Sequence, residues 1–481
     1  MSDDRERRKA ERAERREKER ASTTNDRREE ESNQEENKLV GEIDELKITF
    51  NMTIDKLAKD IKRQDKIMSR ADKRQRKEYD ELQDRLVEVT ALQESQKKLM
   101  DSFIELIAGA IDAKSKYTGG HCIRVPELSM MLVKEASNSD EEPFKEFKLE
   151  SEDELRELNI ASLLHDCGKV TTPEYIVDKA TKLETIYNRI HEVRTRFEVI
   201  HRDLTIEALE KKLAGEDVST VDAWLEVEHK KLVEEYEILA IANVGGEYMK
   251  DESKEKIREI ASRTWVRNFD DTLGLAHEEK QRVLLEKSET PAVEQLLSDK
   301  KRHIIEREYF DYEEYERFGF KTKVPENLYD LGELTNICIS AGTLTYEDRF
   351  KIQEHVVMSI KMLEQLPFPE NLKNVPLYAG SHHETLIGTG YPRQLSAEDM
   401  SIPARVMAIA DVFEALTASD RPYKEPKTLS ASVKILSFMA KDKHLDPDLF
   451  KLFLSSGIYK EYAKDRLKPE QIDEVDISQY L

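Results

Sequence analysis

Residues 1–37 are almost entirely Arg, Lys, Glu, Asp, Asn, Gln and Ser, with hardly an apolar position among them. No burial there offsets the entropy of ordering, so 1–37 reads as a charged tail, disordered or loosely helical. From Lys38 to about Lys98 apolar residues return at helical spacing. Leu39, Ile43, Leu46, Phe50, Ile54, Leu57 and Ile61 form one stripe. Leu82, Val89, Leu92, Leu99, Phe103 and Leu106 fit a heptad in which Gln96 is the polar member. The pattern lapses through 70–76, where a stutter in the supercoil is expected. Segment 38–98 therefore reads as a coiled-coil signalling helix that pairs two copies of the chain in parallel.

From Ser102 the helical pattern becomes more apolar, and Tyr117-Thr118-Gly119-Gly120 breaks it. New helices are expected from His121 and over Glu154–His165, with a loop at Asn138–Pro143 between them. No useful run of alternating β-branched residues occurs, so the fold class is all-α. Lys182-Leu183-Glu184-Thr185 and Thr343-Leu344-Thr345-Tyr346 look like two versions of one helix start, reaching Arg194 and His355. The stretch between them, with a helix around Val221–Ala242, reads as an inserted helical lobe. The expected organisation is thus 1–37 tail, 38–98 coiled coil, 99–194 and 332–440 as two parts of one catalytic domain, 195–331 as the insertion, and 441–481 as C-terminal helices.

Charged residues make up 37% of the chain, which agrees with so much solvated helix. A net charge of −23 argues against a partner such as duplex nucleic acid. No apolar run approaches a membrane span, and Cys122, Cys167 and Cys338 show no disulfide spacing. A cytoplasmic, reducing compartment is the expectation. Cys122 and Cys167 read as small residues packed beside a buried site.

The chemistry concentrates in two rare clusters, His165-Asp166-Cys167-Gly168-Lys169 and His382-His383-Glu384 followed by Gly390-Tyr391-Pro392. Together with His121, His355 and Asp411 they supply imidazole and carboxylate ligands for more than one first-row metal ion, with Lys169 near enough to receive an anion. Two metals about 3.5–4 Å apart acidify a bridging water and clamp a phosphodiester for in-line attack. His191, His201, His229, His277, His303 and His444 fall outside these clusters and read as surface or core residues.

The ordered set His121, His165-Asp166-x-x-Lys169, His355, His382-His383-Glu384, Gly390-Tyr391-Pro392, Asp411 and Arg421-Pro422-Tyr423-Lys424 resembles the HD-GYP family, a branch of the HD superfamily whose members hydrolyse cyclic di-GMP. The resemblance covers about 99–194 and 332–440. It implies an HD-superfamily helical bundle with two divalent metals, iron or manganese. His121, His165, Asp166 and Asp411 would hold one ion, and Asp166, His355, His382 and His383 the other. It further implies that a bridging hydroxide attacks, giving pGpG and/or GMP. Lys169, Arg421 and Lys424 would contact phosphates, Tyr391 would wall the guanine side, and Glu384 would stand behind the ligands rather than bind a metal itself. Tyr117 stands where some members carry a third-metal glutamate, and Ile387 stands where the usual loop has aspartate. Those departures and the insertion motivate two alternatives: a non-hydrolysing cyclic-dinucleotide-binding adaptor, and a hydrolase of another cyclic dinucleotide or nucleoside phosphate. Cyclic di-GMP or a relative as ligand, a homodimer through the coiled coil and a regulatory protein partner complete the expectations.

Overall fold

The computed structural model describes residues 44–114, 120–246, 248–419 and 426–481. The charged tail, Leu39, Ile43, Tyr117, Arg421 and Lys424 lie outside the described residues. The chain divides into two compact units, Met1–Lys98 and Leu99–Leu481.

In the first unit the described residues belong to one helix, Asp44–Lys114, which continues into the second. It runs unbroken through Arg70–Arg76, where a stutter was expected. Ile54, Ile61, Met68, Leu82, Val89 and Phe103 differ by multiples of seven, so apolarity lapses there while phase does not. Leu57, Ile61, Met68, Leu82, Val89 and Leu92 are all exposed. Their helix leaves an apolar stripe on its surface. No helix among the described residues is long and apolar enough to cross a membrane.

The second unit is built on three apolar clusters. The largest joins the end of the long helix (Ile104, Ala108, Ile111) to the helices His121–Asn138, Glu152–Leu164, Ile402–Thr417, Leu429–Lys441, Pro447–Ser455 and Ile458–Arg466. Local chemistry starts these helices where they begin. Ser151 and Glu154 form a capping box, and Thr345 with Asp348 does the same for Tyr346–Leu363. Phe450, Phe453 and Tyr459 share the core of the His121–Asn138 helix, so 441–481 packs as part of the same bundle.

The inserted segment holds a second core around Val193, Phe197, Leu232 and Leu239, within a hairpin of the helices Ile190–Leu213 and Val218–Val244. His201 and His229 stack between them with ring centroids 3.6 Å apart. The lobe is not wholly helical. Thr264–Arg267 (β1) pairs antiparallel with Ala292–Gln295 (β2), and Ile304–Glu306 (β3) with Asn327–Asp330 (β4). Strands this short carry too few residues for an alternating pattern to show.

The proposed pair of equivalent helix starts is also corrected. Thr345 does cap a helix, but Lys182–Thr185 forms a turn in which Glu184 accepts from the Ala180 and Thr181 amides. The helix there begins only at Ile190 and runs past Arg194 to Leu213. The two stems of the lobe are stitched together where they leave the bundle. Lys179 pairs with Asp348 at 2.8 Å, and buried Lys182 donates to the carbonyls of Ile337 and Ile339.

Candidate metal centre

His165 ends the Glu152–Leu164 helix, and Asp166 turns the chain into a short 3-10 turn over Cys167–Thr171. Gly168 allows this turn to press on the Tyr346–Leu363 helix, since a Cβ there would collide with the backbone of His355 and Ser359. Ser359 braces the contact from the other side: its hydroxyl accepts from Gly168 N and donates to His165 O, each at 2.8 Å. His355 is thereby held against Asp166, with His355 Nε2 3.2 Å from Asp166 Oδ1.

The other carboxylate oxygen faces a second group. Asp166 Oδ2 lies 3.3 Å from both His121 Nε2 and His165 Nε2, and His121 Nε2 lies 3.3 Å from Asp411 Oδ1. Asp411 comes from the Ile402–Thr417 helix. His382 and His383 sit in the turn just after the Val375–Gly380 helix rather than within it. Candidate ligand atoms of His355, His382 and His383 lie within 4.8 Å of one another, and so do those of His121, His165 and Asp166. The structure therefore brings all seven sequence-predicted ligands together in two groups, with Asp166 facing both.

Hydrogen bonding fixes the rings. The Nδ1 atoms of His165, His355 and His382 each face a carbonyl three residues earlier, that of Ser162, Ile352 and Ala379 respectively. A carbonyl only accepts, so Nδ1 carries the proton and Nε2 turns a lone pair inward. His355 Nε2 and His382 Nε2 are buried without a hydrogen-bond partner. At His355 one lone pair thus confronts another, that of Asp166 Oδ1, across 3.2 Å. Two acceptors at that separation call for a cation between them, and nitrogen with carboxylate oxygen suits a first-row divalent ion.

The charge states of His382 and His383 agree with this. Burial, helped by His383 and His165, pushes His382 well below the ordinary imidazole range, and burial takes His383 down to about 3. Both rings are neutral near pH 7, as ligands must be. Burial alone would lower His121 too, but Asp166, Asp411 and Glu414 override it and raise it well above its ordinary value. Burial likewise opposes ionisation of Asp166, yet Lys169 and the neighbouring imidazoles hold its carboxyl well below the usual range. Lys169 Nζ reaches Asp166 Oδ2 at 2.5 Å while remaining partly open to solvent. Cys122 and Cys167 are buried, and burial raises both thiols, Cys167 to about 11; they are inert packing.

Glu384 keeps away from the ligand groups. Buried itself, it accepts from the amides of Arg393 (2.6 Å) and Leu395 (2.9 Å), and so ties down the loop carrying Gly390-Tyr391-Pro392. Gly390 passes so close to the backbone of His383 and Thr385 that a Cβ would lie 2.6 Å from His383 O. Tyr391 stacks on His383 at 4.8 Å. Ile387, the departure from the usual loop, is exposed and bridges only to Ser396. The lobe packs against this loop: Lys321 N donates to Pro392 O, and Tyr315 and Phe320 join Val356 and Ile360 in the third apolar cluster.

Sequence reasoning missed Glu414 and Ser359. Glu414, buried, accepts from His121 Nδ1 and Arg124 Nε, each at 2.5 Å. The signal was present in spacing alone. Glu414 follows Asp411 by three, and Arg124 follows His121 by three, on facing helices.

Two models of the HD domain match the chain, one over residues 118–261 and the other over 291–449. A 3'3'-cGAMP-specific phosphodiesterase of Vibrio cholerae is 35% identical over 133 residues, 27% of this chain and 30% of that protein. A cyclic di-GMP phosphodiesterase of Pseudomonas aeruginosa is 43% identical over 88 residues, 18% of this chain and 20% of the relative. One from Thermotoga maritima is 30% identical over 130 residues, 26% and 34% of the two chains. The matched region thus spans between a fifth and about a third of each of these relatives.

Proposed function

We propose that this chain, which carries an HD domain of the HD-GYP type, is a metal-dependent phosphodiesterase that opens the ring of cyclic di-GMP in the cytoplasm. What supports this most directly is the pair of unpartnered, buried nitrogens on His355 and His382, turned toward neighbouring ligand atoms. Two ions, iron or manganese, would be held by His121, His165, Asp166 and Asp411 and by Asp166, His355, His382 and His383. When bound they supply Lewis acidity toward a phosphodiester and lower the pKa of water.

The chain's own groups do the rest. Glu414 and the three helix carbonyls orient the imidazoles, and Ser359 keeps the Asp166 turn against His355. Lys169, already on Asp166 and partly exposed, swings its charge onto a phosphate oxygen when substrate arrives. Tyr391 steadies His383 and offers its free edge to a base. Arg421 and Lys424, by the family resemblance, would add phosphate contacts. The product is pGpG and/or GMP.

Relatives named for 3'3'-cGAMP support a second substrate reading, since that ligand keeps the phosphodiester ring and exchanges one base. Protein loaded with Fe(II) or Mn(II) and offered both cyclic dinucleotides separates the two by kcat/KM. Asp166→Ala is expected to lose bound metal and turnover together. Undiminished hydrolysis in that variant would overturn the proposal.

A further inference from the structure

Lys434, Phe438 and Lys441 follow one another at steps of four and three along the Leu429–Lys441 helix, so they share a face. Leu429, Val433 and Leu436 bury the opposite side in the bundle core. Lys443 comes next, in a left-handed backbone turn with φ 55°, and Lys451 projects from the Pro447–Ser455 helix. These four lysines, with Phe438, Phe450 and Tyr480, line a cleft of about 600 Å³ that has no carboxylate in its wall. Among the described residues none of the four ammonium groups is ion-paired. On a chain of net charge −23 this is a local reversal of field.

Phe438 is 55% exposed inside this cationic rim. A flat apolar ring left open among unpaired ammonium groups complements a ligand with a flat heterocycle at one end and a phosphate at the other. We propose that the cleft binds a nucleoside monophosphate, its base against Phe438 and Tyr480 and its phosphate among the lysines. The concave shape and small-molecule volume favour a nucleotide over an acidic polypeptide or a membrane surface. The cleft shares no residue with the metal centre, yet it adjoins the loop beside it: Leu386 N donates to Lys443 O at 3.1 Å, four residues before Gly390.

The test is equilibrium dialysis of the full-length protein in chelator, so that the metal centre is unloaded, against AMP, GMP, adenosine and inorganic phosphate. Vesicles of phosphatidylglycerol form a further arm. AMP or GMP should bind saturably, and more tightly than adenosine or phosphate. The Lys441→Glu/Lys451→Glu variant should weaken that binding at least tenfold while keeping its circular dichroism and its capacity for metal. Phe438→Ala should weaken nucleotide binding and leave phosphate binding unchanged. Equal affinity in the charge-reversed protein overturns the proposal, as does the absence of saturation below millimolar nucleotide. Inorganic phosphate bound as tightly as AMP, or capture by vesicles in place of nucleotides, overturns it too. Because only binding is read, a metal centre that failed to hydrolyse cyclic dinucleotides would leave this result standing.

Discussion

Glu414 holds the His121 ring from behind, and Arg124 in turn holds Glu414. Partners of this kind fix ring orientation and ligand basicity, and removing one typically costs about 10–100-fold in metal affinity or activity. Glu414→Gln should therefore lose that much kcat/KM at limiting metal and recover part of it when metal is raised. An unchanged metal titration would show that Glu414 serves only packing. Ser359→Ala is expected to destabilise the bundle by about 1–3 kcal/mol, because it leaves the buried Gly168 amide without an acceptor. Chemical denaturation measures this directly. Of the site, the candidate ligands were legible in the sequence, since paired His-Asp and His-His are conspicuous. Their supports were not. A lone Ser or Glu within a helix carries no mark of function until its neighbour across the fold is known.

At the scale of elements, the helices were readable because a period of 3.6 persists over many residues. The four strands of the lobe were not, being three or four residues long. The lobe is anchored by ion pairs near its base. Arg196 binds Glu333 through two bonds of 2.8 and 2.9 Å, and Glu333 also accepts from Ser298 N. Burial would raise the Glu333 carboxyl, but Arg196 prevails and holds it below its ordinary value of 4.5. A carboxyl lowered on folding contributes stability that is present above its unfolded value and lost as pH falls through its folded one. Wild-type protein should thus lose stability below about pH 4.5, and Glu333→Gln should be less stable at neutral pH with a shallower loss in acid. Thermal midpoints at pH 4, 5 and 7 compare the two proteins. Parallel curves would remove Glu333 from the account.

At the scale of the whole molecule, the surface stripe of the Asp44–Lys114 helix keeps one heptad phase from Ile54 to Phe103. A stripe of that length is covered best by a second copy, and we expect a dimer through it. Light scattering on the full-length protein should give twice the chain mass, and Leu82→Glu/Val89→Glu should return the monomer. A monomer before mutation ends that expectation. What the sequence determined by itself was local: the apolar periodicity of the long helix, the helices over Glu154–His165 and after Thr345, and the residues that make up the candidate ligand set. These depend on residue type and spacing within a few turns. The tertiary structure decided the rest. It set one oxygen of Asp166 against His355 and the other against His121 and His165. It also closed the two stems of the lobe and aimed the His355 and His382 nitrogens inward. Such contacts join residues far apart along the chain, and their geometry follows from how helices pack, which no local pattern contains.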